Sequence, residues 1–182
     1  MAKLMICIAG MPGSGKSVIA RVASDLGIPV YNMGDIVREE TMKRYGRITP
    51  ELMVETSRAI REEYGEDVVA IKTIEKIRGV GEVVVIDGVR SLKEIEVFRR
   101  HADRVVVVAV HASPKTRYKR LRERMRPGDP STWEEFRKRD FIELSFGVGD
   151  VIALADYMIV NEGSLEEAYE SAKKLFKELV GV

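Results

Sequence analysis

The sequence predicts one α/β domain built on a parallel β-sheet, and three observations support this fold class. The chain has 182 residues, which is enough for a single domain that buries roughly 70% of its unfolded surface. Apolar runs alternate along the chain with segments of helical spacing. Most of these runs are uninterrupted, as expected for parallel strands that helices cover on both faces.

The apolar runs give five strands, since parallel neighbours need a crossover helix between them. The predicted strands comprise residues 4–9, 29–33, 83–86, 105–110 and 157–160. The chain shows no internal repeat and no low-complexity linker. A single α/β domain without linkers therefore accounts for the whole pattern.

Helix starts are marked by five local signals. Ser91, Ser131 and Ser164 each stand three residues before a Glu, which is the spacing of a capping box. Thr49 and Ser113 each precede a proline, so a good N-cap residue is followed by the residue best suited to the first helical position. We predict that a helix begins after each of these five residues.

Two connections are longer than a simple crossover. Residues 34–81 contain about three predicted helices, and residues 113–156 contain two or three. Enlarged connections at the carboxyl ends of strands usually cover the ligand crevice of such a sheet. We expect both to close over a substrate.

Composition excludes several classes of protein. The net charge of +1 argues against a whole-surface nucleic-acid binder. No apolar run approaches the ~18 residues needed to span a bilayer, so we expect a cytoplasmic protein without membrane contact. One cysteine excludes an internal disulfide and a multi-cysteine zinc site. The chain has no Gln and many Glu, Lys and Arg, which is typical of proteins from hot environments.

A phosphate-binding loop is the most specific motif. The residues from Gly10 to Ser17 match G-x-x-x-x-G-K-[ST], between a predicted strand and a predicted helix. The glycines let backbone N–H groups converge on a phosphate, and the helix N-terminus adds partial positive charge. Lys16 can bridge the β- and γ-phosphates, and Ser17 can bind Mg²⁺. The residues predicted to bind ATP and Mg²⁺ are Gly10, Gly13, Ser14, Gly15, Lys16 and Ser17.

The remaining sequence favours phosphoryl transfer among nucleotide-dependent activities. A guanine-reading N/T-K-x-D motif is absent, which argues against a GTPase switch. Transporter ATPases and similar machines are longer and carry further motifs. A short chain with two lid-like insertions instead suits a kinase for a small acceptor, because this chemistry consists mainly of positioning and charge neutralisation.

Residues 113–140 are predicted to form a basic lid. The segment holds ten basic and five acidic residues, so its net charge is +5. Arg117, Arg120 and Arg124 share one helical face, and the segment 127–130 breaks the helix with two prolines. We predict that Arg120, Arg124 and Arg137 act on the triphosphate.

Two other interpretations of this segment remain open. The charges can form a solvated face, which explains most charge runs. Tyr118, Trp133 and Phe136 lie among the basic residues, as in a nucleic-acid-binding patch, but no nucleic-acid-binding module is recognisable. We therefore expect a small-molecule acceptor and no nucleic-acid partner.

The acceptor side is predicted from the exits of the second and third strands. Asp35 and Arg38 follow the second strand one helical turn apart, so Arg38 can hold an acceptor phosphate and Asp35 can orient or deprotonate an acceptor hydroxyl. Asp87 ends the third strand, where a carboxylate can hold Mg²⁺, and Arg90 follows it, where it is predicted to bind the phosphate of the acceptor together with Arg38. The alternatives are that Asp35 is a helix N-cap and that Asp87 and Arg90 form a salt bridge.

These residues resemble a known group of P-loop proteins. The stretch from Gly34 to Arg38 is similar to the G-D-x-x-R of adenylate kinases, whose arginine holds the monophosphate. The stretch from Asp87 to Arg90 is similar to their D-G-x-P-R, shortened by one residue. Residues 155–164 look like the end of dephospho-CoA kinases, which implies that Asn161 reaches the adenine. Nearly the whole chain resembles an archaeal P-loop nucleotide-kinase-like family related to both enzymes.

This resemblance implies a P-loop NTPase architecture with three layers. The strand order would be 2-3-1-4-5, within a core of residues 1–33, 67–112 and 141–182. Residues 34–66 would form an acceptor-binding insertion and residues 113–140 a lid.

The sequence thus predicts an ATP- and Mg²⁺-dependent phosphotransferase acting on a nucleotide or another small phosphorylated metabolite. Lys16, Asp35, Asp87, Arg124 and Arg137 are the predicted catalytic residues. One alternative is transfer to a hydroxyl group, as in dephospho-CoA kinases. The other is a regulatory ATPase that acts with an RNA or protein partner.

Overall fold

The computed structural model describes residues 2–181, which form one parallel sheet with helices on both faces. In chain order these residues form β1 (Ala2–Ala9), α1 (Lys16–Asp25), β2 (Val30–Asn32), α2 (Met33–Tyr45), α3 (Pro50–Tyr64), α4 (Val68–Lys76), β3 (Val83–Asp87), α5 (Leu92–Arg99), β4 (Ala102–His111), α6 (Pro114–Arg124), α7 (Trp133–Ser145), α8 (Val148–Ala153), β5 (Tyr157–Val160) and α9 (Leu165–Val180).

The sheet has the predicted order β2-β3-β1-β4-β5, and every neighbouring pair is parallel. β1 lies in the centre, where Ile6 pairs with Val85 on one side and with Val106 on the other. All five strands therefore end at the same edge, and the loop after β1 lies in the middle of that edge.

Burial of both faces explains the uninterrupted apolar runs. On one face Met5 and Cys7 pack with Phe98, and on the other face Ile6 packs with Phe176. Alternate residues of a strand point to opposite faces, so a strand covered on both faces is apolar at every position. Burying each large side chain contributes roughly 1.5–3 kcal/mol.

The five predicted strands are confirmed, although the boundaries of β1 to β4 shift by one to three residues. β2 ends at Asn32, since the Asn32 side chain accepts a hydrogen bond from the Gly34 N–H at 2.7 Å and so caps α2. β4 begins at Ala102, three residues before the apolar run. There Arg104 pairs with Leu4, so backbone pairing extends the strand beyond the apolar pattern.

Four of the five predicted helix starts are confirmed by side-chain caps at Thr49, Ser91, Ser113 and Ser164. The fifth prediction is wrong by one residue. The cap of α7 is Thr132, whose capping box uses Glu135. Ser131 instead donates from its N–H and its hydroxyl to the Glu135 carboxylate, at 2.7 and 2.8 Å.

The two long connections contain the predicted helices. Residues 34–81 hold nearly all of α2, followed by α3 and α4, and residues 113–156 hold α6, α7 and α8. The predicted lid boundary at residue 140 falls inside α7. Among residues 2–181 we find no helix with the length and apolarity needed to cross a membrane.

Candidate active site

The loop from Gly10 to Ser17 connects β1 to α1 and packs tightly against its neighbours. Gly15 has a φ of 99°, and a Cβ atom there would lie 2.1 Å from the Asn161 Nδ2. A Cβ atom at Gly10 would lie 2.5 Å from the Val110 carbonyl oxygen. Both positions therefore require glycine, because a side chain would clash at each of them. Gly15 also needs glycine for its left-handed backbone conformation.

Two buried side chains hold this loop from outside. Asn161, at the end of β5 and 2% exposed, donates from Nδ2 to the Ser14 carbonyl at 2.9 Å. Arg117 of α6, 4% exposed, donates from Nη1 to the Pro12 carbonyl at 3.2 Å. Two carbonyls of the loop are thus fixed by distant elements, which keeps its N–H groups preorganised.

Arg117 also forms a buried ion pair between α6 and α7. Its guanidinium donates to both carboxylate oxygens of Asp140, at 2.8 and 2.7 Å, and lies 4.9 Å from the centre of the Phe136 ring. This bidentate geometry satisfies the two buried charges. Arg117 therefore has a structural role and points into the protein. It does not act together with Arg120 and Arg124, with which it was predicted to share a helical face.

Lys16 lies at the first turn of α1 with its amine folded towards the loop. Its Nζ donates to the Gly10 carbonyl at 2.5 Å and to the Met11 carbonyl at 3.3 Å. An ammonium group has three donors, so one remains for a phosphate oxygen. Burial lowers the pKa of Lys16 below its ordinary value, and the charges of Asp87 and Glu143 oppose this shift.

Asp87 ends β3 with one carboxylate oxygen satisfied and one free. Its Oδ2 accepts a hydrogen bond from the Asn32 Nδ2 at 3.0 Å, whereas its buried Oδ1 has no partner among residues 2–181. Burial raises the pKa of Asp87, against the opposing charges of Lys16 and Arg90. Asn32, which the sequence analysis missed as a site residue, thus orients this carboxylate.

A cation at the free oxygen would remove the cost of its burial. Mg²⁺ prefers oxygen ligands and usually binds one or two carboxylates together with water and substrate phosphates. Ser17 lines the same cavity as Asp87. The described residues contain no cluster of three acidic, His or Cys side chains suited to a metal. Ser17 and Asp87 would therefore suit a magnesium ion whose other ligands would be phosphate and water.

The loop opens into a cavity of about 740 Å³, which we name the donor cavity. Its volume lies within the usual range for a small ligand. It is lined by the loop, by Asp87 and the turn after β3, and by residues of α6 and α7. The charged side chains that line it are Lys16, Asp87, Arg90, Arg120, Glu123, Arg124, Arg126, Arg139 and Glu143.

A second cavity of about 870 Å³ lies between α2, α3 and α7, and we name it the acceptor cavity. Arg38, Arg58 and Lys138 line it together with apolar residues such as Met53 and Phe146. Arg90, Arg139 and Glu143 line both cavities. These three side chains therefore mark the junction at which the two cavities meet.

At the junction Arg90 is paired with Glu143. The Arg90 Nε donates to the Glu143 Oε2 at 2.7 Å, and its Nη2 lies 3.4 Å from the Oε1. The Glu143 carboxylate raises the pKa of Arg90. Burial alone would raise the pKa of Glu143, but the charges of Arg90, Lys16 and Arg139 hold it below the ordinary value. The alternative of an Asp87–Arg90 salt bridge is wrong.

Asp35 and Arg38 of α2 differ in their relation to the two cavities. They form an exposed ion pair within the first turns of α2. Arg38 lines the acceptor cavity, whereas Asp35 lines neither cavity. Asn32 caps α2, so the interpretation of Asp35 as the N-cap is wrong. Asp35 lies outside both cavities, so its position does not fit the predicted role of a base that deprotonates an acceptor hydroxyl.

The predicted lid arginines separate into three environments. Arg120 donates to the backbone and side-chain oxygens of Asn161 at 3.0 and 3.3 Å. Arg124 lines the donor cavity and forms a bidentate pair with Asp129 at 2.8 and 2.5 Å. Arg137 lies outside both cavities, so its position does not fit the predicted role.

Arg139 occupies the position that was predicted for Arg137. It lines both cavities and donates to Asp129 at 3.1 Å. Burial would raise the pKa of Asp129, but hydrogen bonds from Arg124 and Arg139 contribute to lowering it to about 2. The helical spacing could have indicated Arg139. It stands four residues before Glu143, so an arginine and a carboxylate share one face of α7.

Asn161 was predicted to reach an adenine. Both ends of its side-chain amide bond to the protein, through Nδ2 to Ser14 and through Oδ1 to Arg120. The neighbouring residues Gly163 and Ser164 also line the donor cavity. The side chain of Asn161 therefore supports the phosphate loop, and any adenine contact falls to its neighbours.

Five parallel strands in this order, with the phosphate loop after the central strand, define the P-loop NTPase fold. Residues 9–137 match the family described as "AAA domain". A "UPF0200 protein" of Staphylothermus marinus is 61% identical over 99% of this chain and 95% of its own length. Another, of Hyperthermus butylicus, is 57% identical over 98% and 96%. The chain belongs to this UPF0200 family of thermophilic archaea, and the predicted resemblance is confirmed.

Solved structures share the fold at low sequence identity. Shikimate kinase from Bacteroides thetaiotaomicron has a TM-score of 0.64 and 18% identity, over 98% of this chain and 99% of its own. A gluconokinase from Sinorhizobium meliloti has a TM-score of 0.60 and 16% identity, over 97% and 93%. TT1252 from Thermus thermophilus has a TM-score of 0.67 and 20% identity, over 98% and 99%. These similarities establish the architecture.

Proposed function

We propose that the protein is an ATP- and Mg²⁺-dependent phosphotransferase that moves the γ-phosphoryl group of ATP to a small-molecule acceptor. The observation that carries this proposal is the junction, where Arg90, Arg139 and Glu143 line both cavities. A donor bound on the phosphate loop and an acceptor bound between α2, α3 and α7 would meet there. The kinases among the solved structures of this fold support the proposal.

On the donor side the loop would hold the β- and γ-phosphates. The backbone N–H groups around Gly13 and Gly15 and the start of α1 favour an anion. Lys16 would use its remaining donor on a phosphate oxygen. Ser17 and Asp87 would hold Mg²⁺, which neutralises developing phosphate charge when bound.

The arginines would stabilise charge as the phosphoryl group moves. Arg124 and Arg139 line the donor cavity and share Asp129 as their partner. This carboxylate fixes both guanidinium groups while leaving them other donors for phosphate oxygens. Such preorganised donors provide the largest catalytic contribution in many phosphoryl-transfer sites.

A phosphorylated acceptor would bind through Arg38 and Arg90, as the sequence predicts. Arg38 lines the acceptor cavity and Arg90 lies at its inner end. Each arginine is already paired with a carboxylate, Asp35 or Glu143. An anionic acceptor would compete with these carboxylates, or would use the donors that they leave free.

A hydroxyl acceptor is the second candidate, and the free Oδ1 of Asp87 favours it. This oxygen can accept the proton of a hydroxyl group, and the raised pKa of Asp87 improves it as a base. Asp87 cannot use the same oxygen for both roles at once. In this variant of the mechanism Mg²⁺ would be held by Ser17 and the phosphates.

An acceptor screen tests the proposal. We would incubate the protein with Mg²⁺ and γ-labelled ATP and follow the label onto phosphomonoesters, such as AMP, and onto sugars and other alcohols. We expect transfer to one acceptor class, with little ATP hydrolysis in its absence. Hydrolysis stimulated only by RNA or by a protein would contradict the proposal and favour the regulatory ATPase.

A further inference from the structure

A groove runs along the outer side of α7, next to the acceptor cavity, and we name it the α7 groove. Its charged and aromatic lining consists of Arg58, Trp133, Glu134, Arg137, Lys138 and Phe141. Arg58 and Lys138 also line the acceptor cavity, so the groove and the cavity are continuous. Neither the donor site nor the proposed transfer uses the aromatic residues of this groove.

Two exposed aromatic rings and a cation form a stripe along α7. Trp133, Arg137 and Phe141 are spaced four residues apart, so they share one helical face. Trp133 is 40% exposed and Phe141 is 59% exposed. The Arg137 guanidinium lies 5.1 Å from the centre of the Phe141 ring. The stripe presents flat apolar faces with a positive charge between them.

Trp133 is held in place from behind. Its ring centre lies 5.0 Å from that of buried Phe136 and 5.3 Å from that of Tyr118, which it meets edge to face. A ring fixed by two neighbours loses little freedom when a ligand stacks on it. The exposed part of Trp133 is therefore a preorganised platform.

The spacing of the rings sets the size of the ligand. Trp133 and Phe141 are eight residues apart, which corresponds to about 12 Å along a helix. One flat ring cannot cover both side chains at this separation. A ligand that uses the whole stripe must carry two rings joined by a flexible connection.

The charges of the groove indicate what joins the rings. Arg58, Arg137 and Lys138 line the groove, and among residues 2–181 none of them pairs with a carboxylate; Arg137 lies over the Phe141 ring instead. Glu134 is the single acidic residue of the lining. In contrast, Arg90, Arg117, Arg124 and Arg139 are each paired with a carboxylate. The unpaired cations favour an anionic connection between the two rings.

We propose that the α7 groove binds single-stranded nucleic acid. Two bases stack on Trp133 and Phe141, and the phosphates between and beside them pair with Arg58, Arg137 and Lys138. Aromatic platforms in a basic groove are the usual means of binding single strands without sequence preference. This inference goes beyond the proposed phosphotransferase activity, and it differs from the expectation that the protein has no nucleic-acid partner.

The single tryptophan makes the test direct, because Trp133 is the only Trp in the chain. We would titrate the protein with a single-stranded oligoadenylate of about four nucleotides and follow the fluorescence of Trp133. Stacking should quench the emission, and the oligonucleotide should bind at least about tenfold more tightly than AMP. Three phosphate contacts predict a slope of roughly −2 for log K against log salt concentration.

Substitutions in the α7 groove test whether the oligonucleotide binds there. Phe141→Ala should weaken it roughly tenfold through the loss of one stacked base. Arg58→Ala and Lys138→Ala should each reduce the salt slope by about 0.7. Lys115→Ala is the matched control, since Lys115 is an exposed basic residue on α6 outside the groove, and it should change neither quantity.

Lys16→Ala separates this inference from the proposed function, because it should strongly slow phosphoryl transfer while oligonucleotide binding persists. Absence of quenching, equal affinity for AMP and the oligonucleotide, or a salt slope near zero would overturn the proposal. So would a concentration-dependent dimer that dissociates in Phe141→Glu without any binding of the oligonucleotide. That result would identify the stripe as an interface between two copies of the chain.

Discussion

The donor and acceptor cavities share one wall, yet they are stabilised in different ways. The phosphate loop is fixed by buried groups, with Asn161 on one side and Arg117 on the other. Among residues 2–181, one ion pair joins the acceptor helices α2 and α3, namely the partly exposed pair Arg44–Glu63, and the inner faces of both helices pack into the core. Exposed pairs contribute little stability. Buried polar contacts therefore hold the phosphate loop, whereas the ion pair between the acceptor helices is partly exposed to solvent.

One buried connection joins the acceptor side to the junction. Arg61 of α3 donates to the Glu94 Oε1 at 2.8 Å, and the Glu94 Oε2 accepts from the Arg90 N–H at 2.7 Å. Arg61 is nearly buried and Glu94 fully buried. The position of Arg90 thus depends on α3, so movement of the acceptor helices would reach the junction directly.

The largest effect should come from removing the charge at the phosphate loop. Lys16→Ala should lower the rate of phosphoryl transfer about 10²–10³-fold, because a preorganised donor to the phosphates is lost. Steady-state transfer from labelled ATP measures this rate. Lys3→Ala, which removes an exposed lysine paired with Glu82, should leave the rate unchanged. Full transfer by Lys16→Ala would exclude the loop as the donor site.

The contrast between buried and exposed ion pairs can be tested by measuring the free energy of unfolding. Arg117→Met should lower the free energy of unfolding by about 3–5 kcal/mol, since it leaves the Asp140 carboxylate buried and unpaired. Arg44→Met should lower the free energy of unfolding far less, because Arg44 belongs to an exposed pair. Urea unfolding of both variants measures the difference. Equal losses would show that the buried pair contributes no more to stability than the exposed pair does.

Glu143→Gln tests whether Arg90 is available to an acceptor phosphate. Loss of the carboxylate charge frees the guanidinium, so AMP, used as a phosphomonoester probe, should bind about tenfold more tightly. Calorimetry measures this affinity. Glu62→Gln is the control, because Glu62 lines the same cavity without an arginine partner. An unchanged affinity in Glu143→Gln would favour a hydroxyl acceptor that does not use Arg90.

The sequence predicted those features that are encoded by neighbouring residues. The phosphate loop and the strand exit at Asp87 are each one continuous stretch, and local chemistry identifies both. Arg139 and Glu143 were missed, since they join the site only when α7 packs against the turn after β3. Asn32 was missed because its role depends on strand pairing, which places it opposite Asp87.

The arginines of α6 show the same limit. Helical spacing correctly placed Arg117, Arg120 and Arg124 along one helix, but their partners lie elsewhere in the chain. Asp140 draws Arg117 inward, and Asn161 engages Arg120. Periodicity predicts which side chains share a face, whereas their partners depend on tertiary packing. The assignment of Arg137 failed for this reason.

Asp87→Asn should have a small effect on stability and the most informative dependence on pH. The pKa of Asp87 in the folded protein lies above its ordinary value of 3.8, chiefly through burial. The folded state therefore binds this proton more tightly than the unfolded state does, so ionisation of Asp87 destabilises the fold. That cost is absent well below pH 3.8 and is complete above the raised pKa.

Asp87→Asn should accordingly be more stable than the parent at neutral pH, by about 1 kcal/mol. The difference should disappear as the pH falls below 3.8, and transfer activity should be lost at every pH. Asn at this position can still accept the hydrogen bond from Asn32, so the turn should be retained. Urea unfolding at neutral and acid pH measures the stability difference between the variant and the parent in each condition.

A variant less stable than the parent at neutral pH would mean that ionised Asp87 supports the fold. A stable but inactive variant would instead indicate that the buried charge is kept for the cation or the acceptor hydroxyl.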